Sequence, residues 1–370
     1  TERREEAAPV RAPVASPTAF PAQPEALALP GLLSQQVLED DAAALGALGF
    51  SAEEIAEALA QEIPEGGEFA ARSHFATWLD EKGDSGDKVA MAASWDLPVS
   101  ETATADGHDP LQWANLSRPD GWTKVSHYMA LGCISAREIF ERSAGRRNHA
   151  GVAHRLMWRE WHRLNAIHWG RRLFWLQGPG RIERPWSKDP ALVEAWKAGK
   201  TGVPYIDACM RELRQTGWLA YKGRKTAGHF LVFDLGVDWR IGAFHYEEAL
   251  LDYDVAMNYG NWVTVARVDK PRSWGEPESL DEGHGDIRWK LGAERANDPR
   301  GEYIRRWVPE LRAVADGHVH TPWAMSAEEM ASCGCVVGKD YPAPLVGPLE
   351  LVADAAGGDG HPGAGAAATP

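Results

Sequence analysis

A chain of 370 residues with 44% hydrophobic and 25% charged content has ample material for a core, which excludes a wholly disordered or fibrous protein. No apolar run reaches the roughly 18 residues that a bilayer span needs, so no membrane partner is expected. The net charge of −14 is uneven: residues 137–240 hold 20 Lys+Arg against 10 Asp+Glu, a basic centre that fits either a polyanion surface or Arg side chains paired with nearby acids.

Residues 1–30 are rich in Ala, Pro and Glu without an apolar period, and are expected to be a disordered tail. Residues 31–119 read as a helical linker plus a variable loop. Ser51-Ala-Glu-Glu54 has the spacing of a capping box. A helix is expected over 63–82 after Gly66-Gly67, and a long loop over 83–121. Residues 120–315 form the principal domain. Ser135 caps a helix through Arg142. The clearest long helix covers 149–169, with Ala153, Leu156, Met157, Leu164 and Ile167 on the face assigned to the core. Asp189-Pro190 opens a helix through Lys197. Further helices fit 205–215, 225–235, 243–251 and 301–313. DYDVAMNYGNW, ending at Trp262, reads as an acidic, amide-rich loop. Residues 316–370 are assigned to a poorly ordered C-terminal extension. No run alternates as a strand for long, so the fold class is all-α, a large multi-helix domain with disordered ends.

The four cysteines are Cys133, Cys209, Cys333 and Cys335. They lack zinc spacing and do not suggest a disulfide scaffold, so an intracellular, reducing compartment and no metal are expected. The 17 Trp outnumber both Phe and Tyr, which suggests a use for indole beyond filling space.

Three groups of residues carry chemistry. Thr123, Lys124 and Ser126 offer two hydroxyls and an ammonium ahead of an apolar segment, a set suited to a diphosphate or to simple helix capping. Arg155, Trp158, Arg159 and Arg163 share one face of the long helix, suited to a stacked anionic ligand or to solvent. Arg224, Asp252, Asp254 and Asn258 are polar outliers in an apolar stretch. They suit a flat, charged ligand, and an Arg–Asp salt bridge is the competing reading. No GxGxxG turn is present to hold a nucleotide.

The motifs TGVPYIDACMREL, DLGVDWRIGA, LLDYDVAMNYGNW and PRGEYIRRWVPEL resemble the photolyase/cryptochrome superfamily, and most of all the DASH-type cryptochromes. The likeness runs from about Asp120 to Leu311. It implies the helical FAD-binding domain, here without the N-terminal antenna domain, so no antenna chromophore is expected on this chain. It further implies that Thr123, Lys124 and Ser126 bind the diphosphate and that Arg159 lies close to the cofactor. Arg224 and Asp252 would flank the isoalloxazine, with Asp254 nearby and Asn258 facing flavin N5. Trp262, Trp239 and Trp186 match the tryptophan chain that photoreduces the flavin.

The lesion side departs from the family. Arg155 replaces a glutamate, Tyr221 an asparagine and Thr264 an aromatic, while Trp158 and Lys222 remain able to meet DNA. The resemblance therefore implies a blue-light-responsive FAD protein. The alternatives are a photolyase that repairs cyclobutane dimers in single-stranded DNA and a degenerate binding module. Damaged DNA and a signalling protein are the partners to consider.

Overall fold

A computed structural model describes residues 41–82, 123–270 and 295–346, apart from 48, 60–63, 147, 148, 296 and 297. The expected tail at 1–30, the loop at 83–121 and residues 347–370 lie outside the described residues. Among the described residues the architecture is all-α, with isolated bridges Ser187–Val237 and Val337–Tyr341 in place of strands. No helix of the described residues is long and apolar enough to cross a membrane.

The helices in chain order are α1 (Asp41–Ala47), α2 (Ala52–Leu59), α3 (Gly67–Lys82), α4 (Ser126–Ala130), α5 (Ala136–Ser143), α6 (His149–Trp169) and α7 (Pro190–Lys197). There follow α8 (Pro204–Thr216), α9 (Tyr221–His229), α10 (Trp239–Ala249), α11 (Val255–Val265), α12 (Glu302–Trp307) and α13 (Ala327–Cys333). Several starts follow directly from capping chemistry. Ser135 Oγ accepts from Glu138 N at 3.1 Å ahead of α5. Asp189 Oδ1 accepts from Ala191 N at 2.9 Å ahead of α7, with Pro190 in the first turn. α10 starts at Trp239, four residues before the expected 243, because Asp238 caps it through Arg240 N at 3.0 Å.

Three expectations are corrected. First, the segment ending at Trp262 is a helix, not a loop. Asp254 Oδ1 accepts from Ala256 N and Met257 N at 3.0 and 3.1 Å, and the chain is helical from Val255 to Val265. Capping and packing against α6 and α10 override the weak helix preference of its Gly, Asn and β-branched residues.

Second, α6 is turned relative to the expected apolar face. Met157, Leu164 and Ile167 are 55%, 67% and 80% exposed, while Val152 and His162 are buried and Trp158 and Arg159 half-buried. Of the expected face, only Ala153 and Leu156 are partly covered.

Third, residues 316–346 are folded onto the core. Val319, Met325, Cys335 and Tyr341 are buried there, and α13 carries a capping box of Ser326 and Glu329. The Tyr341 hydroxyl donates to Asp207 Oδ2 at 2.5 Å, and Asp207 Oδ1 accepts from both the amide and the hydroxyl of Thr201 at 2.7 Å. This buried cluster joins residues far apart in sequence, which local patterning does not reveal.

Two apolar clusters result. The larger is built on α8, α10, α11 and α12, around Trp196, Tyr205, Met210, Trp239 and Tyr303. The smaller joins α3 to α4, α5 and the start of α6 through Phe75, Trp78, Tyr128, Ile139 and Val152. The space between them is the candidate site.

Candidate functional site

A cavity of about 300 Å³ lies where the two clusters meet, within the size range of small-molecule sites. Phe75, Trp78, Ile139 and Val152 wall it from the smaller cluster; Leu219, Tyr246, Leu250, Trp262 and Val265 wall it from the larger. Thr123, Lys124, Ser126, Arg155, Trp158, Arg159, Tyr221, Arg224, Asp252, Asp254 and Asn258 all line it. Residues that the sequence placed in three separate groups thus face one space. Lys222, Trp239 and Trp186 are not in the lining.

The polar wall is held from several directions. Arg224 Nη2 contacts both oxygens of Asp252 at 2.9 and 2.8 Å, and its Nε donates to Leu219 O at 2.6 Å. Asn258 donates its amide to Ala243 O at 2.8 Å and lines the cavity. Asp254 both caps α11 and accepts from Arg163 Nη2 at 3.0 Å. Burial works to raise its pKa, yet the Met257 amide and Arg163 hold it below the usual carboxylate range. The segment that carries Thr123 is fixed by His74 Nε2, 2.8 Å from Thr123 O, and Lys124 Nζ lies 4.9 Å from the centre of the Trp218 ring. Lys124 takes φ +45°, a left-handed conformation that costs a side-chain-bearing residue free energy.

Behind the basic side sits Glu212, buried and bonded to the Tyr303 hydroxyl at 2.5 Å. Burial pushes its carboxyl up to about 7, against the pull of Tyr303, Lys124, Arg306 and Arg224. On the wall that carries Tyr221, burial raises the phenol while Arg155 opposes it. Arg155 itself is exposed.

Trp262 is 3% exposed and meets Tyr246 edge-on at 5.1 Å and Trp196 at 6.4 Å. It is seated on Gly242 of α10, where an added Cβ would come within 2.2 Å of the indole. Trp239 opens that same helix, fully buried, and donates Nε1 to Leu176 O at 3.0 Å. The segment carrying Trp186 is tied to the start of α10 by Ser187 N to Gly236 O at 2.8 Å and Asp238 N to Ser187 O at 2.9 Å. Trp186 has the Arg184 guanidinium 5.1 Å from its ring centre.

Sequence reading missed Trp218, Lys225, Tyr246, Tyr253, Met257 and Asn261 in the lining, and Trp78 from α3. Asn261 and Met257 flank Asn258 on one face of α11, and the loop reading of that segment hid their spacing. Trp78 was legible only as a core residue of its helix.

The donor set suits a large ligand with a flat ring and an anionic part. Hydroxyls and cations line the wall near Lys124 and Arg159, aromatic rings line the apolar wall, and a neutralised Arg–Asp pair sits with an amide beside them.

Comparison with known proteins identifies that ligand. Residues 152–353, more than half of the chain, match the FAD binding domain of DNA photolyase. Cryptochrome DASH of Xenopus laevis is 41% identical over 233 residues, covering 60% of this chain and 42% of that protein. Cryptochrome DASH of Synechocystis is 36% identical over 232 residues, covering 60% of this chain and 45% of that protein. A crystal structure of the Synechocystis cryptochrome superposes with a TM-score of 0.62 at 32% identity, covering 76% of this chain and 53% of that one. A class III photolyase from Agrobacterium tumefaciens shares the fold, with a TM-score of 0.59 at 24% identity, 76% of this chain and 52% of that one being covered. The chain spans about half the length of these relatives or less. The donor chemistry of its cavity suits FAD, and the chain belongs to the photolyase family of FAD-binding domains, among relatives of the cryptochrome DASH type.

Proposed function

We propose that this chain is a blue-light-responsive flavoprotein module in which tryptophan side chains return an electron to photoexcited FAD. FAD supplies light absorption and one-electron chemistry; the chain supplies binding, orientation and electron donors. Lys124 and Arg159 would set positive charge against the diphosphate, and Thr123 and Ser126 would donate hydroxyl hydrogen bonds to it. Arg224 and Asp252 would flank the ring system, with Asn258 at the ring edge. Asp254 acts one step removed, because it fixes the start of the helix that carries Asn258 and Trp262.

The observation that carries the reading is the seating of Trp262: it lines the cavity, is closed off from solvent, and rests on the helix that begins with Trp239. Indole gives up an electron more readily than most side chains; Trp262 lines the cavity, Trp239 is buried and Trp186 is partly exposed, which supports the reading. Trp262→Phe in the FAD-loaded chain should lose most of its photoreduction under blue light with an external thiol. Retained photoreduction in that variant would contradict the proposed route.

A second reading, repair of pyrimidine dimers in single-stranded DNA, is favoured by the joint placement of Trp158, Arg155 and Lys225 on the cavity wall. A flipped dimer would stack on Trp158 while the cations meet phosphate. Arg155 and Tyr221 stand where repair relatives have a glutamate and an asparagine, so turnover is expected to be weak. Light-dependent loss of dimers from a UV-treated oligonucleotide tests this reading, and absence of loss with FAD bound rejects it.

A further inference from the structure

We propose that Trp158 and Trp161 form a second electron route, leading from the cofactor cavity directly to the protein surface. The inference rests on the photoreduction reading above and adds an exit to it.

The two indoles lie on α6 three residues apart. Their ring centres are 4.9 Å apart and their planes differ by 14°, a stacked arrangement with direct π overlap. Trp158 lines the cavity, and Trp161 is 41% exposed. Only one transfer between side chains therefore separates the cavity from solvent. His162 stands edge-on to both rings, at 5.5 and 4.9 Å, with planes 89° and 77° away. Its exposure is 1%, and α11 presses on it through Gly260, where a Cβ would meet His162 Nδ1 at 2.4 Å. That contact holds the pair in register.

The electrostatics favour this exit. Burial pushes His162 down to about 4, so the ring beside the indoles is neutral at physiological pH. Two cations of the same helix are ion-paired: Arg159 with Glu160 at 2.6 Å and Arg163 with Asp254 at 3.0 Å. Trp186, by contrast, has the Arg184 guanidinium stacked near its ring, and a cation there opposes positive charge on the indole.

Electrons and protons balance along this route. With FAD bound, Trp158 would give one electron to the photoexcited ring. Trp158 takes an electron from Trp161, and the oxidised Trp161 gives its indole proton to water. An external thiolate then returns an electron to Trp161, which recovers a proton from water, and two thiyl radicals couple to a disulfide.

The experiment uses the full chain loaded with FAD, compared with Trp161→Phe, Trp186→Phe and the double variant. Photoreduction is followed by absorbance in the presence of thiol. Oxidised tryptophan is mapped by mass spectrometry after illumination in air without thiol. Trp161 is expected to accumulate oxidation product well above Trp175, which is equally exposed at 44% but does not line the cavity. Trp161→Phe should remove a measurable minority share of the photoreduction rate with FAD affinity unchanged, Trp186→Phe should leave a residual rate, and the double variant should lose that residual rate. An unchanged rate in Trp161→Phe, together with no excess oxidation of Trp161 over Trp175, overturns the second route and leaves the Trp262 route standing. A native chain that binds FAD but shows no photoreduction overturns both.

Discussion

Arg224 holds both carboxylate oxygens of Asp252 through a single nitrogen, at 2.8 and 2.9 Å, on the wall of the proposed FAD cavity. The Asp252 side chain is almost fully covered, and Arg224 is anchored a second time on Leu219 O. The pair is therefore a fixed, neutralised dipole. Asp252→Ala leaves the guanidinium without its partner. We expect FAD affinity to fall by roughly thirtyfold, equivalent to about 2 kcal/mol, measured by flavin fluorescence titration. An affinity within twofold of the native value would remove this pair from the binding account.

Asp254 is the joint between the cavity and the helix that carries its two principal side chains. Asp254→Ala removes the cap of α11 and the acceptor for Arg163 together. Loss of an N-cap costs about 1 kcal/mol and the half-exposed ion pair adds little. Thermal unfolding should shift down by a few degrees. Asp254→Asn, which keeps a capping oxygen, should recover most of the loss.

Gly242 is required by Trp262. In Gly242→Ala the new methyl would meet the indole and Leu231, both in the core. Overpacking of this kind costs roughly 1–3 kcal/mol. The expected result is a lower melting temperature and slower photoreduction together. Gly236→Ala is the control, because an added Cβ there meets nothing within 4 Å; its +64° φ alone predicts a smaller loss, without an effect on photoreduction.

Glu212 makes stability depend on pH. Its carboxyl is raised from 4.5 to about 7, so the folded state binds more protons than the unfolded state between those values. Stability therefore falls as pH rises through that window, by up to about 3 kcal/mol from this group alone. Glu212→Gln should flatten the profile between pH 4.5 and 7. Urea unfolding at a series of pH values checks it, and an unchanged slope would show that Glu212 ionises freely in the folded chain.

Much of this was legible in the sequence, and the exceptions have physical causes. The bounds of α6 and α7 follow from local punctuation: Asp189 and Pro190 start one, and Gly170 follows the other. The residues of the cavity wall stand out in sequence as polar outliers, because an apolar core does not need Arg224, Asp252 and Asn258. The orientation of α6 was not legible. The rule that apolar faces turn inward fails where the interior space is built for a charged ligand, and Met157, Leu164 and Ile167 end outside. Helix α11 was hidden because its own residues are poor helix formers and its cap lies one residue before it. The seating of Tyr341 on Asp207 depends on residues 134 positions apart, a distance that no local pattern spans.

The central claim is that the cavity holds FAD and that the tryptophans reduce it in light. The most direct measurement is the absorbance spectrum of the purified, FAD-reconstituted chain before and after blue light, with an external thiol present. The expected result is a bound, oxidised-flavin spectrum that bleaches on illumination, with little bleaching in Trp262→Phe. A chain that takes up no FAD, or a bound flavin whose spectrum light leaves unchanged, would contradict it.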